Sequence, residues 1–277
     1  MPSFDASRGR FKLADRHIAV FAHLLDKEVP PAELQFSLGE LQQIGLVGPE
    51  GELNPLLREL LTTIAQPVVM IQSEVTGPQG PLSHGVIVGQ DTVFSHDGWP
   101  GEEESEYVPI EPRTLVWELA RQVRLQRDDK LEGSEIAGVS EITTTMGALD
   151  VVFATLEKNG GDADALKGEA LAALGDAGGL AEPELSAFVE LVMSLNSTWR
   201  ITSAWDGKPG ADSMRSIAVW DCAQHGYWER VEPAEPIQEG EVGPDSTLRI
   251  VRTGAGDIWD RVADLLPDKA DLRIKQA

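Results

Sequence analysis

Cysteine is almost absent: Cys222 stands alone among 277 residues. No internal disulfide can form, which excludes a bridge-stapled secreted domain and fits a reducing compartment. Long apolar runs are missing too. None approaches the roughly 18 residues that a membrane helix requires, and residues 1–10 lack the apolar core of a signal peptide. A cytoplasmic protein without membrane insertion is therefore expected. Basic side chains are scarce, 23 Lys and Arg against 46 Asp and Glu, for a net charge of −23. The deficit is shared, with 11 against 20 in residues 1–130 and 12 against 26 in residues 131–277. Such a surface repels nucleic acid and anionic membranes at long range and keeps the chain soluble. With 42% apolar residues the chain can still bury one or two ordinary cores without metals or bridges.

Reaction chemistry is equally sparse. The histidines are His17, His23, His84, His96 and His225, and no two take the i, i+4 spacing that puts a zinc pair on one helical face. A pair between His84 and His96 across a hairpin is conceivable, but both read as ordinary strand and loop residues, so no metal and no cofactor are assigned. Cys222 lies beside Asp221 and three residues before His225, yet DCAQHG reads as a hairpin turn whose side chains need not converge. No GxSxG, Walker A or GxGxxG motif opens a helix after a strand. Residues 253–257 (TGAGD) come closest and read as a strand-to-helix turn with Asp257 as the cap. Glu102, Glu103 and Glu104 read as a solvated acidic loop rather than as the facing carboxyls of a glycosidase. No catalytic residue is assigned, and the chain reads as a binding protein rather than an enzyme.

What is present is an internal echo. Residues 12–25 (KLADRHIAVFAHLL) and 144–156 (TTMGALDVVFATL) each end in an apolar helical stripe, with Phe21 answering Phe153. A short helix and a Gly-rich turn follow in both halves. Then comes a second helix, opened by Asn54-Pro55 in one half and Pro183 in the other. The period then shifts from 3.6 to about 2, over residues 68–75 (VVMIQSEV) and 198–205 (TWRITSAW). Gly/Pro-rich loops at 76–83 and 206–213 lead to strands at 85–88 and 216–220, then to 92–95 and 227–231, then to 107–110 and 248–251. Trp117 answers Trp259 in a closing helix, and an acidic insert around residues 234–245 lengthens the second half.

These patterns predict an α+β fold of internally duplicated α-α-β-β-β-β-α units, residues 1–130 and 131–277, in a quasi-twofold arrangement around a central, mainly antiparallel sheet with flanking helices. The polar connector at 127–141 is the only plausible boundary, and one shared sheet is preferred over two separate domains. Most of the seven tryptophans are expected in the core, Trp117 and Trp259 as matched anchors, while Trp99 and Trp205 at loop edges could meet a partner.

Several segments together resemble the EspG family, the cytosolic chaperones of actinobacterial ESX (type VII) secretion systems. They are FKLADRHIAVFAHLL, LQQIGLVGPEGELNPLLRELLTTIAQPVVMI, SIAVWDCAQHGYWERV and DIWDRVADLLP. The resemblance implies a role in holding helical secretion substrates, of the PE/PPE or WXG100 type, before export. It also implies that the loop after an early central strand grips the client. By position those residues are Thr76, Gly77, Pro78, Gln79, Gly80, Pro81 and Leu82. The late hairpin departs from the family, with Asp221-Cys222 and Gly226-Tyr227 where Asp-Thr and Gly-Arg are usual. An acidic immunity or inhibitor protein that neutralises a basic toxin is the alternative reading, and an enzyme whose site is too diffuse to read from sequence is a third.

Overall fold

The computed structural model describes residues 1–99, 101–126, 136, 138–158, 162–177, 179–208, 213–231 and 242–273. The first half runs β1 (Ser3–Asp5), β2 (Arg10–Ala14), α1 (Asp15–Leu25), α2 (Gln35–Gln43), α3 (Leu57–Ala65), β3 (Val69–Gly77), β4 (Gly80–Val88), β5 (Val93–Asp97), β6 (Glu104–Ile110) and α4 (Leu115–Gln122). The second runs β7 (Glu141–Thr145), α5 (Met146–Lys158), α6 (Ala163–Ala177), α7 (Glu184–Met193), β8 (Ser197–Trp205), β9 (Met214–Asp221), β10 (Tyr227–Arg230), β11 (Thr247–Thr253) and α8 (Ala255–Asp264). Among the described residues the eleven strands join one sheet in the order β1-β2-β6-β5-β4-β3-β8-β9-β10-β11-β7. Every pairing is antiparallel. The halves meet at β3 and β8, in register from Val69 opposite Trp205 to Thr76 opposite Thr198.

Alternation along the strands assigns the layers, because residues of one parity share a face. Val69, Ile71 and Val75 of β3 and Trp199, Ile201 and Trp205 of β8 pack beneath α4 and α8. The opposite face is covered only toward its ends. Phe11, Leu13, Phe94 and Tyr107 pack there with α1 to α3, and Trp220, Trp228, Leu248 and Ile250 pack with α5 to α7. Among the described residues nothing covers that face over the central strands between these two helical lobes.

The mainly antiparallel sheet with flanking helices is as expected, and several details differ. Each half opens with a strand, β2 or β7, that the sequence pattern hid. RFKLA is only five residues long and its Phe11-Leu13 alternation merges into the helical stripe that follows. Residues 76–83 are not a loop. β3 and β4 run on to Gly77 and Gly80, joined by the two-residue turn Pro78-Gln79. Pro at the second position and Gly at the fourth, here at φ +84°, are residues that a tight turn favours. Gly and Pro thus mark a hairpin tip.

Among the tryptophans, Trp205 is buried, so it presents no surface to a partner, whereas Trp117 is 58% exposed and is no core anchor. Phe21 is buried but Phe153 is not; Val152 takes the core position instead. Gly254, not Asp257, occupies the N-cap of α8. Of the acidic run, Glu102 and Glu103 are exposed as expected, while pairing with Lys12 and Arg16, and Glu104 departs from the expectation by being buried in β6. Most of the connector at 127–141 and most of the insert at 234–245 lie outside the described residues, as do positions 209–212 of the second Gly/Pro-rich segment.

Two histidines make the fold sensitive to acid. His17 is fully buried, its Nδ1 accepts the Ala14 N–H at 2.9 Å and its Nε2 lies 3.1 Å from Glu40. Burial holds its pKa below the ordinary value despite Glu40, and burial does the same to His96. The unfolded chain, with histidine near pH 6.5, therefore takes up these protons first. The stabilisation is complete above about pH 6.5 and is lost as pH falls toward the lower folded values. The urea midpoint is expected to drop between about pH 7.5 and about pH 5.5. A constant midpoint would contradict the burial of both rings as neutral species.

Candidate functional site

The open face is built by β4, β3, β8 and β9. Its outward residues on β3 are Met70, Gln72, Glu74 and Thr76, all exposed. The register sets Ile87, Met70, Ala204 and Met214 in one row across the four strands, an apolar band in which Met70 is 55% and Met214 57% exposed. Two rows away lie Ser83, Glu74, Arg200 and Ala218, continued by Arg230 on β10. Glu74 and Arg200 stand directly opposite, and Glu74 accepts a long hydrogen bond from Gln72 Nε2 at 3.4 Å.

Beyond this polar row the face deepens into a groove of about 690 Å³. One wall is α5, through Met146, Leu149 and Phe153, and the floor includes Arg200 and Ala218. Thr76, Gly77 and Pro78 form its rim beside Asn196 and Ser197. The hairpin tip is held close to the start of β8: a Cβ on Gly77 would stand 3.3 Å from the Asn196 carbonyl oxygen. Gly77 thus permits an approach that a larger residue would strain.

Of the seven residues read from sequence, the structure brings Thr76, Gly77 and Pro78 to the groove. Gln79 occupies the turn and Gly80 closes it. Pro81 is exposed opposite Thr76, while Leu82 packs against the core under α4 and α8 and so faces away. Met70, Phe153, Arg200 and Met214 escaped the sequence reading. The signal for the β3 residues was present in VMIQSEV, where strict alternation assigns Met70 to the same face as Gln72 and Glu74. Phe153 was masked by its neighbour Val152, since either fits a helical stripe.

The groups considered for chemistry lie elsewhere. His84 and His96 point to opposite faces of the sheet. His84 Nδ1 is 2.9 Å from Asp97, and His96 stacks on Tyr107 with ring centroids 4.7 Å apart. Ser73, the register partner of His84, donates its hydroxyl to Gln122 at 2.9 Å. Cys222 is fully buried, and burial reinforced by the Asp221 charge pushes its thiol up to about 12, so it stays protonated and unreactive at neutral pH. Among the described residues no group of three or more His, Cys, Asp or Glu side chains is placed to hold a metal ion, and no helix is long and apolar enough to cross a membrane.

No family model matches the chain, and no curated protein matches it. Among solved structures the chain shares its fold with known proteins. One of them is the type VII secretion system chaperone EspG5 of Mycobacterium tuberculosis, solved in complex with a PE25–PPE41 dimer. The two share a TM-score of 0.53 at 10% identity, over 95% of this chain and 100% of that one. At this identity the likeness is one of fold.

Proposed function

We propose that this protein is a non-enzymatic chaperone or adaptor, an EspG-like cytoplasmic protein that holds a helical client of an ESX (type VII) secretion system, of the PE/PPE or WXG100 type. The observation that carries this reading is the uncovered sheet face between two helical lobes. A globular chain rarely leaves large apolar side chains exposed on one face, here Met70 and Met214 in one row and Phe153 on the groove wall, unless something covers them. The client lies in the groove beside α5, and Thr76, Gly77 and Pro78 grip its end. Leu82 takes no part. Recovery of one fold order in both halves, a strand, three helices, four strands and a helix, supports two copies of one unit, residues 1–130 and 131–277, about a quasi-twofold axis between β3 and β8. The chaperone fold of a protein solved with a bound partner supports the reading further.

The test is affinity capture of the tagged full chain from lysate of its own source cells, with identification of what is retained. A small, predominantly helical secretion substrate is expected. A single basic toxin-like protein would replace the proposal with the immunity reading, and a blank would remove its support.

A further inference from the structure

We infer that the chain also pairs with a second copy of itself, through the outer surfaces of α4 and α8 on the side of the sheet away from the groove. These helices lie against one another, and at their junction Trp117 meets Trp259 edge to face with ring centroids 4.5 Å apart. Trp117 nonetheless stays 58% exposed, so an indole surface stands at the middle of the layer. Charges to either side differ between the helices. α4 and its flanks expose Arg113, Arg121 and Arg124 beside Glu111, whereas α8 exposes Asp257, Asp260 and Asp264 beside Arg261, which is engaged by Glu229. Arg121 is engaged by Glu118. Arg113, Arg124 and the three aspartates have no ion-pair partner among the described residues. In a chain of net charge −23, a basic strip beside an acidic one is unusual and self-complementary.

Symmetry selects the arrangement. A twofold axis lying in the contact plane and running along the helices sets α4 of one copy over α8 of the other. Basic then meets acidic twice, with the two tryptophan pairs at the centre. An axis across the helices would instead oppose like to like. Trp and Arg are the side chains that most often anchor interfaces. Helices of 8 and 10 residues offer a footprint only about 15 Å long and about 20 Å wide. That is well below the roughly 800 Å² per partner of a stable complex, so the pairing is weak and reversible. The overall like charge of the copies opposes it at low ionic strength. At about 0.15 M salt this long-range repulsion is screened beyond about 8 Å, while close pairs are screened less.

Sedimentation equilibrium of the full chain from about 5 to about 300 µM, in about 0.15 M salt, reads the pairing directly. A monomer–dimer equilibrium with its dissociation constant inside that range is expected, weakened about 10-fold or more by Trp117→Ala. Reversing the basic strip (Arg113→Glu with Arg124→Glu) or the acidic strip (Asp260→Lys with Asp264→Lys) is expected to leave each variant monomeric alone. An equimolar mixture of the two should dimerise, an outcome that misfolding cannot produce. A wild-type chain that stays monomeric throughout, a dimer indifferent to Trp117→Ala, or variants that fail to associate when mixed would overturn the inference.

Discussion

Trp228→Ala is expected to destabilise the protein by about 3–5 kcal/mol, as truncation of a fully enclosed aromatic does. Trp228 has no exposed surface and packs with Trp220, Leu248 and Ile250 against the helices of the second lobe. Its indole N–H donates to the His225 carbonyl at 3.3 Å, so truncation removes a hydrogen bond as well as leaving a cavity. Trp117→Ala, in contrast, is expected to cost about 1 kcal/mol, because that ring is largely exposed and loses mainly its edge-to-face contact with Trp259. Urea denaturation of the two variants beside wild type checks both. Similar losses from the two would contradict the burial that separates them.

Phe153→Asp is expected to weaken retention of the client by about 30-fold or more, equivalent to about 2 kcal/mol, while changing stability by less than about 1 kcal/mol. Phe153 is 38% exposed on the α5 wall of the groove, so its truncation opens no sealed cavity. A carboxylate there would have to be desolvated beneath an apolar client surface, which the client cannot offset without a matching cation. Affinity measured by titration calorimetry with the client retained in the capture experiment, paired with the urea midpoint of the variant, separates lost binding from lost folding. Unchanged affinity would remove α5 from the binding surface.

How much of this was legible in the sequence depended on whether a pattern was long enough to be unambiguous. The alternation in VVMIQSEV and TWRITSAW placed β3 and β8, and Asn54 ahead of Pro55 marked the entry to α3: its side-chain oxygen accepts the Leu56 N–H at 3.0 Å. β2 and β7, at five residues each, carried too few alternations to stand apart from the helices they feed. Gly77, Pro78, Gly80 and Pro81 read as loop because composition does not say whether such residues cap a hairpin or extend a connection. Register decides that, and register is a property of two strands together. The groove was legible only in part for a related reason. Thr76, Gly77 and Pro78 follow from position along β3. Arg200, Met214 and Phe153 become neighbours only once β8, β9 and α5 converge, and no local periodicity encodes that meeting.

The most direct test of the binding face is site-specific photocrosslinking in the source cells, with a photoreactive residue placed singly at Thr76 on the groove rim and at Leu56 on the outer surface before α3. Both positions are exposed, so neither substitution should disturb the core. A covalent adduct with a helical protein from position 76, and none from position 56, is the expected result. Adducts from position 56 with none from position 76 would place the client elsewhere and contradict the assignment of the groove.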